Sequence, residues 1–183
     1  MIRKFRSFAR DSRGMAAIEM AFIMPALLFL YFGLVDLTGL ISLNRKISYS
    51  SSVVADLVSQ NKTTVTSANI TDYFNAVELV MSPTPVANVR VDVYGYYNNG
   101  GTITQRWKKS STGGTSCGAP STTGMANLMT DGNDVVIVRT CATYTPYIAT
   151  FLGENILGAT SFSLGGETAL RPRLTATLAC TGC

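Results

Sequence analysis

The chain changes its hydrophobic rhythm twice. Apolar residues dominate from Met15 to Leu43; Met20 to Val35 contains no charged residue, and extension to Leu43 adds only Asp36. A run of that length predicts a helix able to cross a bilayer core of ~30 Å, for which about 20 residues suffice. Pro25 falls inside the run, where neighbouring helices or a local adjustment can absorb its missing N–H. Beyond Leu43 the pattern turns amphipathic. Ile47, Ser50, Val54 and Leu57 recur at helical spacing with Val53 and Val58 beside them, against Arg45, Lys46, Ser51, Ser52, Asp56 and Ser59. The helix is therefore expected to continue to about Gln60. "NKTTVTS" (61–67) reads as a turn or linker. A second amphipathic helix follows, with Ile70, Tyr73, Phe74, Val77, Val80 and Met81 on one face and Pro83 and Pro85 beyond its end.

From Val86 the period becomes two. Val89, Val91 and Val93 alternate with Arg90 and Asp92, which predicts a half-buried strand. "NNGG" (98–101) signals a hairpin, with Ile103 to Trp107 returning beside the first strand. Residues 108–124 read as a long polar loop. After the turn "DGND" (131–134), "VVIVRTCATYTPY" (135–147) has the consecutive apolar start of a central strand. "IATFLGENIL" (148–157) predicts a short helix. "SFSLGGETAL" (161–170) and "RPRLTATL" (171–178) predict two closing strands, the second at an edge because of Pro172. The fold class is α+β: a long N-terminal transmembrane helix continuing into a head with a second helix and an antiparallel sheet of about four or five strands. The expected organisation is a basic leader (1–14), a transmembrane helix (15–43), a helix extension and linker (44–61) and an α+β head (62–183).

Charge sharpens this picture. The net charge of +4 comes from the beginning of the chain, where Arg3, Lys4, Arg6, Arg10 and Arg13 face only Asp11. Beside an apolar run, such a cluster reads as a topology signal with the N-terminus cytoplasmic, and no nucleic-acid surface is expected. Arg106, Lys108 and Lys109 read as a solvated loop. The four cysteines, Cys117, Cys141, Cys180 and Cys183, all lie beyond the apolar run. An even count in an exported region predicts disulfides; Cys117–Cys141 with Cys180–Cys183 is the preferred pairing among three. "CTGC" also has the CxxC form of a thiol oxidoreductase. A redox motif opens a helix that activates its first thiol, whereas here the chain stops.

The chain has no histidine, so the commonest general base and metal ligand is missing. Asp131 and Asp134 flank "GN", a turn pattern more than a calcium loop. "GGTSCG" and "LGGET" lack the strand-to-helix context of a phosphate loop. No catalytic residue, metal site or cofactor is expected.

Glu19 is the anomaly: a carboxylate inside an apolar run is expensive and commonly functional. It stands five residues after Gly14, in "SRGMAAIEMAFIMP", behind the basic leader. This arrangement resembles the class III signal of type IV pilin-like proteins, which a prepilin peptidase cuts after the glycine. Within that class, "RDSRGMAAIEMAFIMPALLFLYFGLVDL" and the following "SSVVADLVSQ" resemble the TadE-like group of the tight-adherence (Tad/Flp) pilus system. Many members carry Phe or Tyr after the glutamate, where this chain has Met20. The large outer region sets it apart from the short major pilins.

The resemblance implies cleavage between Gly14 and Met15, leaving the helix attached. Glu19 would then be the fifth residue of the mature chain and would pair with the new amine of a neighbouring subunit. Glu19, Pro25 and Asp36 are the expected docking residues. Asp36 lies near the far end of the run, where either water or a partner satisfies it. The expected partners are prepilin peptidase, other pilin-like subunits, inner-membrane pilus assembly proteins and the lipid bilayer. The expected place is the bacterial inner membrane, single-pass, with the head in the periplasm or carried into the pilus. An uncleaved single-pass anchor for a periplasmic binding or scaffold domain is the second expectation, and a membrane-tethered thiol oxidoreductase the third.

Overall fold

The computed structural model describes residues 13–123, 125, 129–152 and 161–183. In chain order the elements are α1 (Arg13–Ser59), β1 (Thr64–Thr66), α2 (Ser67–Met81), a 3-10 turn (Val86–Asn88), β2 (Val89–Asn99), β3 (Thr102–Ser110), β4 (Asp134–Tyr144), α3 (Tyr147–Leu152), β5 (Phe162–Leu170) and β6 (Ala179–Thr181). The α+β class and the long apolar N-terminal helix are as the sequence led us to expect. α1 runs through Pro25 as one helix of 47 residues. The chain divides into two compact units: residues 1–39 with 146–160, and residues 40–145 with 161–183.

The second unit is built on a four-stranded antiparallel sheet in the order β3-β2-β4-β5. β4 is central, as its unbroken apolar start requires. Val89, Val91 and Val93 of β2 and Val136, Val138 and Ala142 of β4 pack with Leu43, Ile47, Val54 and Val58 of α1 and with Ile70, Val77 and Met81 of α2. The α2 boundary follows from local chemistry. Thr66 and Asn69 form a reciprocal capping box at its start, which satisfies N–H groups that no helical carbonyl can reach.

The approach of α1 to β5 depends on one glycine. A Cβ on Gly166 would lie 3.0 Å from Ile47 Cγ2 and 3.2 Å from Ser48 Cα, so a side chain there crowds the helix backbone and requires it to give way by a few tenths of an ångström. Ser51 Oγ and Thr168 Oγ1 meet beside it at 3.1 Å. The hairpin between β2 and β3 turns on Gly100 and Gly101, both at positive φ, as a tight two-residue turn requires.

β2 is buried on both sides, not half-buried as its alternation suggested. Its second face carries Tyr94 and Tyr96, which pack with Val135, Ile137, Met125 and Met129. Asp92 is fully buried on that strand and accepts from Arg90 Nε at 2.9 Å. The loop after β3 reaches this part of the sheet: Cys117 is paired with Cys141 of β4. Tyr94 Oη donates to Gly118 O at 2.9 Å, and Arg139 Nη1 to Ala119 O at 2.7 Å.

Three segments depart from expectation. "NKTTVTS" is not only a linker: its Thr64–Thr66 forms β1, which pairs in parallel with β6. "RPRLTATL" is not a closing strand, and Pro172 marks no sheet edge. Its backbone is held by long-range bonds instead: Arg173 N to Ser59 O at 2.9 Å, Trp107 Nε1 to Leu178 O at 2.9 Å, and Leu178 N to Asp134 Oδ2 at 2.5 Å. The strand lies just beyond, at Ala179–Thr181. Arg106, Lys108 and Lys109 sit on β3, not in a loop. Arg106 lies over Tyr97 and pairs with Asp134 at 3.2 Å, while Lys108 Nζ lies 4.9 Å from the Tyr94 ring centre.

Candidate processing and docking site

The described part of the first unit contains the start of α1 and all of α3. Every residue from Gly14 to Tyr31 is exposed. Large apolar side chains lie in the open all along this stretch, from Met15 and Ile18 through Phe22, Leu27 and Phe29 to Tyr31. A surface helix of a globular domain hides one apolar stripe. Between Gly14 and Tyr31 this one hides none of its apolar side chains among the described residues. Its hydropathy and length suffice to cross a membrane, and the exposed run fits membrane anchoring.

The expected processing residues sit at the head of this helix. Gly14 lies in the first turn of α1, where the leading N–H groups lack helical carbonyl partners. A Cβ on Gly14 would meet nothing within 4 Å, so packing among the described residues gives no reason for a glycine at that position. Met15 is 64 % exposed. Glu19 is exposed one helical turn further on, and Pro25 follows on the same uninterrupted helix.

Asp36 is different. It is 7 % exposed, and both of its oxygens are engaged by α3: Tyr147 N donates to Oδ1 at 2.8 Å and Ile148 N to Oδ2 at 2.9 Å. The backbone of Asp36 lies mid-helix, which leaves its carboxylate free to satisfy the first N–H groups of another helix. A carboxylate is favoured there by hydrogen bonding and by the partial positive charge of a helix N-terminus. Solvation of Asp36 is thus corrected: its acceptors are met within the chain. α3 opens at Tyr147, one residue before the helix expected from Ile148, and residues 153–157 of that expectation lie outside the described residues. Its partner, 111 residues away in sequence, left no local signal.

The remaining candidates have structural employment. Asp134 is buried, accepts from Leu178 N and pairs with Arg106, and Asp131 Oδ1 accepts from Gly100 N at 2.6 Å. Both therefore serve the turn and the chain beside it. Among the described residues no group of three or more His, Cys, Asp or Glu is arranged to hold a metal. Cys117–Cys141 and Cys180–Cys183 are paired, with Cα separations of 5.6 and 5.8 Å. Cys180 lies in β6, not at a helix N-terminus, so the usual means of activating a CxxC thiol is missing. Burial pushes the Tyr96 phenol above its ordinary range, and Tyr94 and Glu167 add to the rise.

Residues 14–56 match the family described as TadE-like protein. The match opens at Gly14 and takes in Glu19, Pro25 and Asp36. No curated protein and no solved structure matches the chain.

Proposed function

We propose that this chain is a minor pilin or pseudopilin of the tight-adherence pilus system, cut by prepilin peptidase after Gly14 and active as a non-enzymatic assembly component. The family match itself suggests a membrane-anchored, pilus-related protein. The observation that carries the finer reading is the spacing of Gly14, Met15 and Glu19 at the head of a helix whose apolar residues from 14 to 31 are all exposed.

Cleavage creates an α-amino group on Met15. An ammonium near hydrocarbon requires a partner, and Glu19 supplies the opposite charge one helical turn along. In the assembled state Glu19 of one subunit receives the amine of the next. Attraction between the charges is strong where the dielectric is low, and an unmatched charge is costly. The pair therefore selects register more than it adds net stability. Pro25 removes one helical N–H and leaves a carbonyl to adjust against neighbouring helices. Asp36 acts in docking from within the chain, by holding α3 to α1. The partners are other pilin-like subunits and inner-membrane pilus assembly proteins. The N-terminus is cytoplasmic and the head periplasmic, as the basic leader directs.

Mass spectrometry of protein extracted from membranes tests this directly. In cells with active prepilin peptidase the expected N-terminus is Met15, and Gly14→Leu blocks its appearance. An intact leader on the wild-type chain in those cells refutes the processing step and favours an uncleaved anchor.

A further inference from the structure

We propose that α3 is a second membrane-contacting element, seated in the interfacial layer of the bilayer face nearest Asp36. This inference rests on the reading of α1 as membrane-spanning. Glu19 and Asp36 are the two acids of the run and lie 17 residues apart, about 26 Å along a helix rising ~1.5 Å per residue. A hydrocarbon core is ~30 Å thick. The two acids thus fall near its opposite faces, and Asp36 marks the level at which the second face must lie.

α3 is held at that level. Both oxygens of Asp36 take its leading N–H groups, from Tyr147 and Ile148. The same pair of bonds answers two electrostatic needs. It disperses the carboxylate's charge where water is thinning out, and it satisfies backbone donors that hydrocarbon would leave bare. Ala149 is buried on α3, while Tyr147 is 64 % exposed. Tyrosine prefers the membrane interface, where its ring meets acyl chains and its hydroxyl meets water. Tyr31, also 61 % exposed, lies five residues deeper on α1, about 7 Å along the axis. The occupant of this face is the lipid headgroup and upper acyl layer. A flanking protein is the competing occupant.

Tyr147→Cys, carrying an environment-sensitive fluorophore, tests the proposal in the full chain. The native cysteines are paired and leave the new thiol to react. The protein is reconstituted in phosphatidylethanolamine–phosphatidylglycerol vesicles holding nitroxide lipids labelled either near the glycerol backbone or near the chain end. Shallow nitroxide is expected to quench the Tyr147 position more than deep nitroxide does, and more than aqueous iodide does. Adding Asp36→Ala is expected to reduce the shallow quenching. A label at Phe29→Cys, expected to respond to the deep nitroxide, reports on α1 itself. If Phe29 is lipid-quenched while Tyr147 responds mainly to iodide, α3 is not interfacial and the inference fails alone. If Tyr147 is shielded from both lipid and iodide, protein covers it and the inference likewise fails. If Phe29 itself escapes lipid quenching, the spanning reading fails and takes this inference with it.

Discussion

Two adjacent glycines of β5 face opposite sides of the sheet, and alanine at each should behave differently. A Cβ on Gly166 meets Ile47 Cγ2 at 3.0 Å and the backbone of Ser48 at 3.2 and 3.3 Å. Ile47 and its neighbours in the helix are buried in the main core, so α1 cannot yield without disturbing contacts along its length. Overpacking of this kind costs about 1–3 kcal/mol. A Cβ on Gly165 meets Cys141 Sγ at 3.4 Å and Thr140 O at 4.0 Å, contacts in the range of ordinary packing, and alanine relieves the backbone entropy of glycine in a strand. Gly166→Ala is therefore expected to lower the unfolding temperature by roughly 2–12 °C for a chain of this size, and Gly165→Ala to change it little. Trp107, the single tryptophan, provides the readout. It is buried against Gly95 and bonded to Leu178 O, so its fluorescence reports loss of the sheet packing in detergent-solubilised protein. Adding Ile47→Val to Gly166→Ala removes one methyl group from the contact and should recover part of the loss. Equal melting temperatures for the two alanine variants would refute the claim that helix approach is what demands Gly166.

Alkaline pH should weaken the fold through Tyr96. Its phenol is raised by burial, then by Tyr94 and Glu167, so the folded state holds the proton more tightly than the unfolded chain, whose phenol titrates near 10. The associated stability is complete below that pH and is lost as pH rises through the folded value; urea midpoints across the alkaline range should fall, and Tyr96→Phe should flatten the fall. The two disulfides should differ in worth. Replacing Cys117 and Cys141, 24 residues apart, by serine should cost about 3.5 kcal/mol in the chain-entropy account. Replacing Cys180 and Cys183, three apart, should cost about 2 kcal/mol. Denaturant titration of the two double variants checks the order.

The sequence made legible those features whose cause is local. The unbroken apolar run announced α1, the period of 3.6 gave α2, and the doubled glycine at 100–101 placed the hairpin. β4 declared itself central because Val135 to Val138 leave no polar side for water. What stayed hidden was set by distant partners. β1 and β6 have three residues each, too few to show a period, and they exist because they pair with each other across more than a hundred residues. Asp92 looked like the wet side of an amphipathic strand, since nothing in its neighbourhood reveals that a disulfide-tethered loop approaches the same face. Of the candidate site, Gly14 and Glu19 were readable from spacing, because the signal they resemble is linear. The employment of Asp36 was not, because a helix cap 111 residues away follows no sequence rule.

α1 has a consequence for the order in which the chain can finish folding. Leu43, Ile47, Val54 and Val58 follow the exposed apolar run early in the chain, yet they share their core with Val136, Val138 and Leu178. The strand that lies against Ile47 is β5, and its contact residue Gly166 stands 119 positions later. Closing contacts of that span is slow, because chain entropy is lost before packing returns it. The apolar stripe of residues 43–58 thus waits uncovered until the later strands are in place. A partner that shields this stripe in the interval would act as a holding chaperone for the subunit. A fragment beginning after Ser59 would keep α2 but lose Leu43, Ile47, Val54 and Val58 from the core of its sheet.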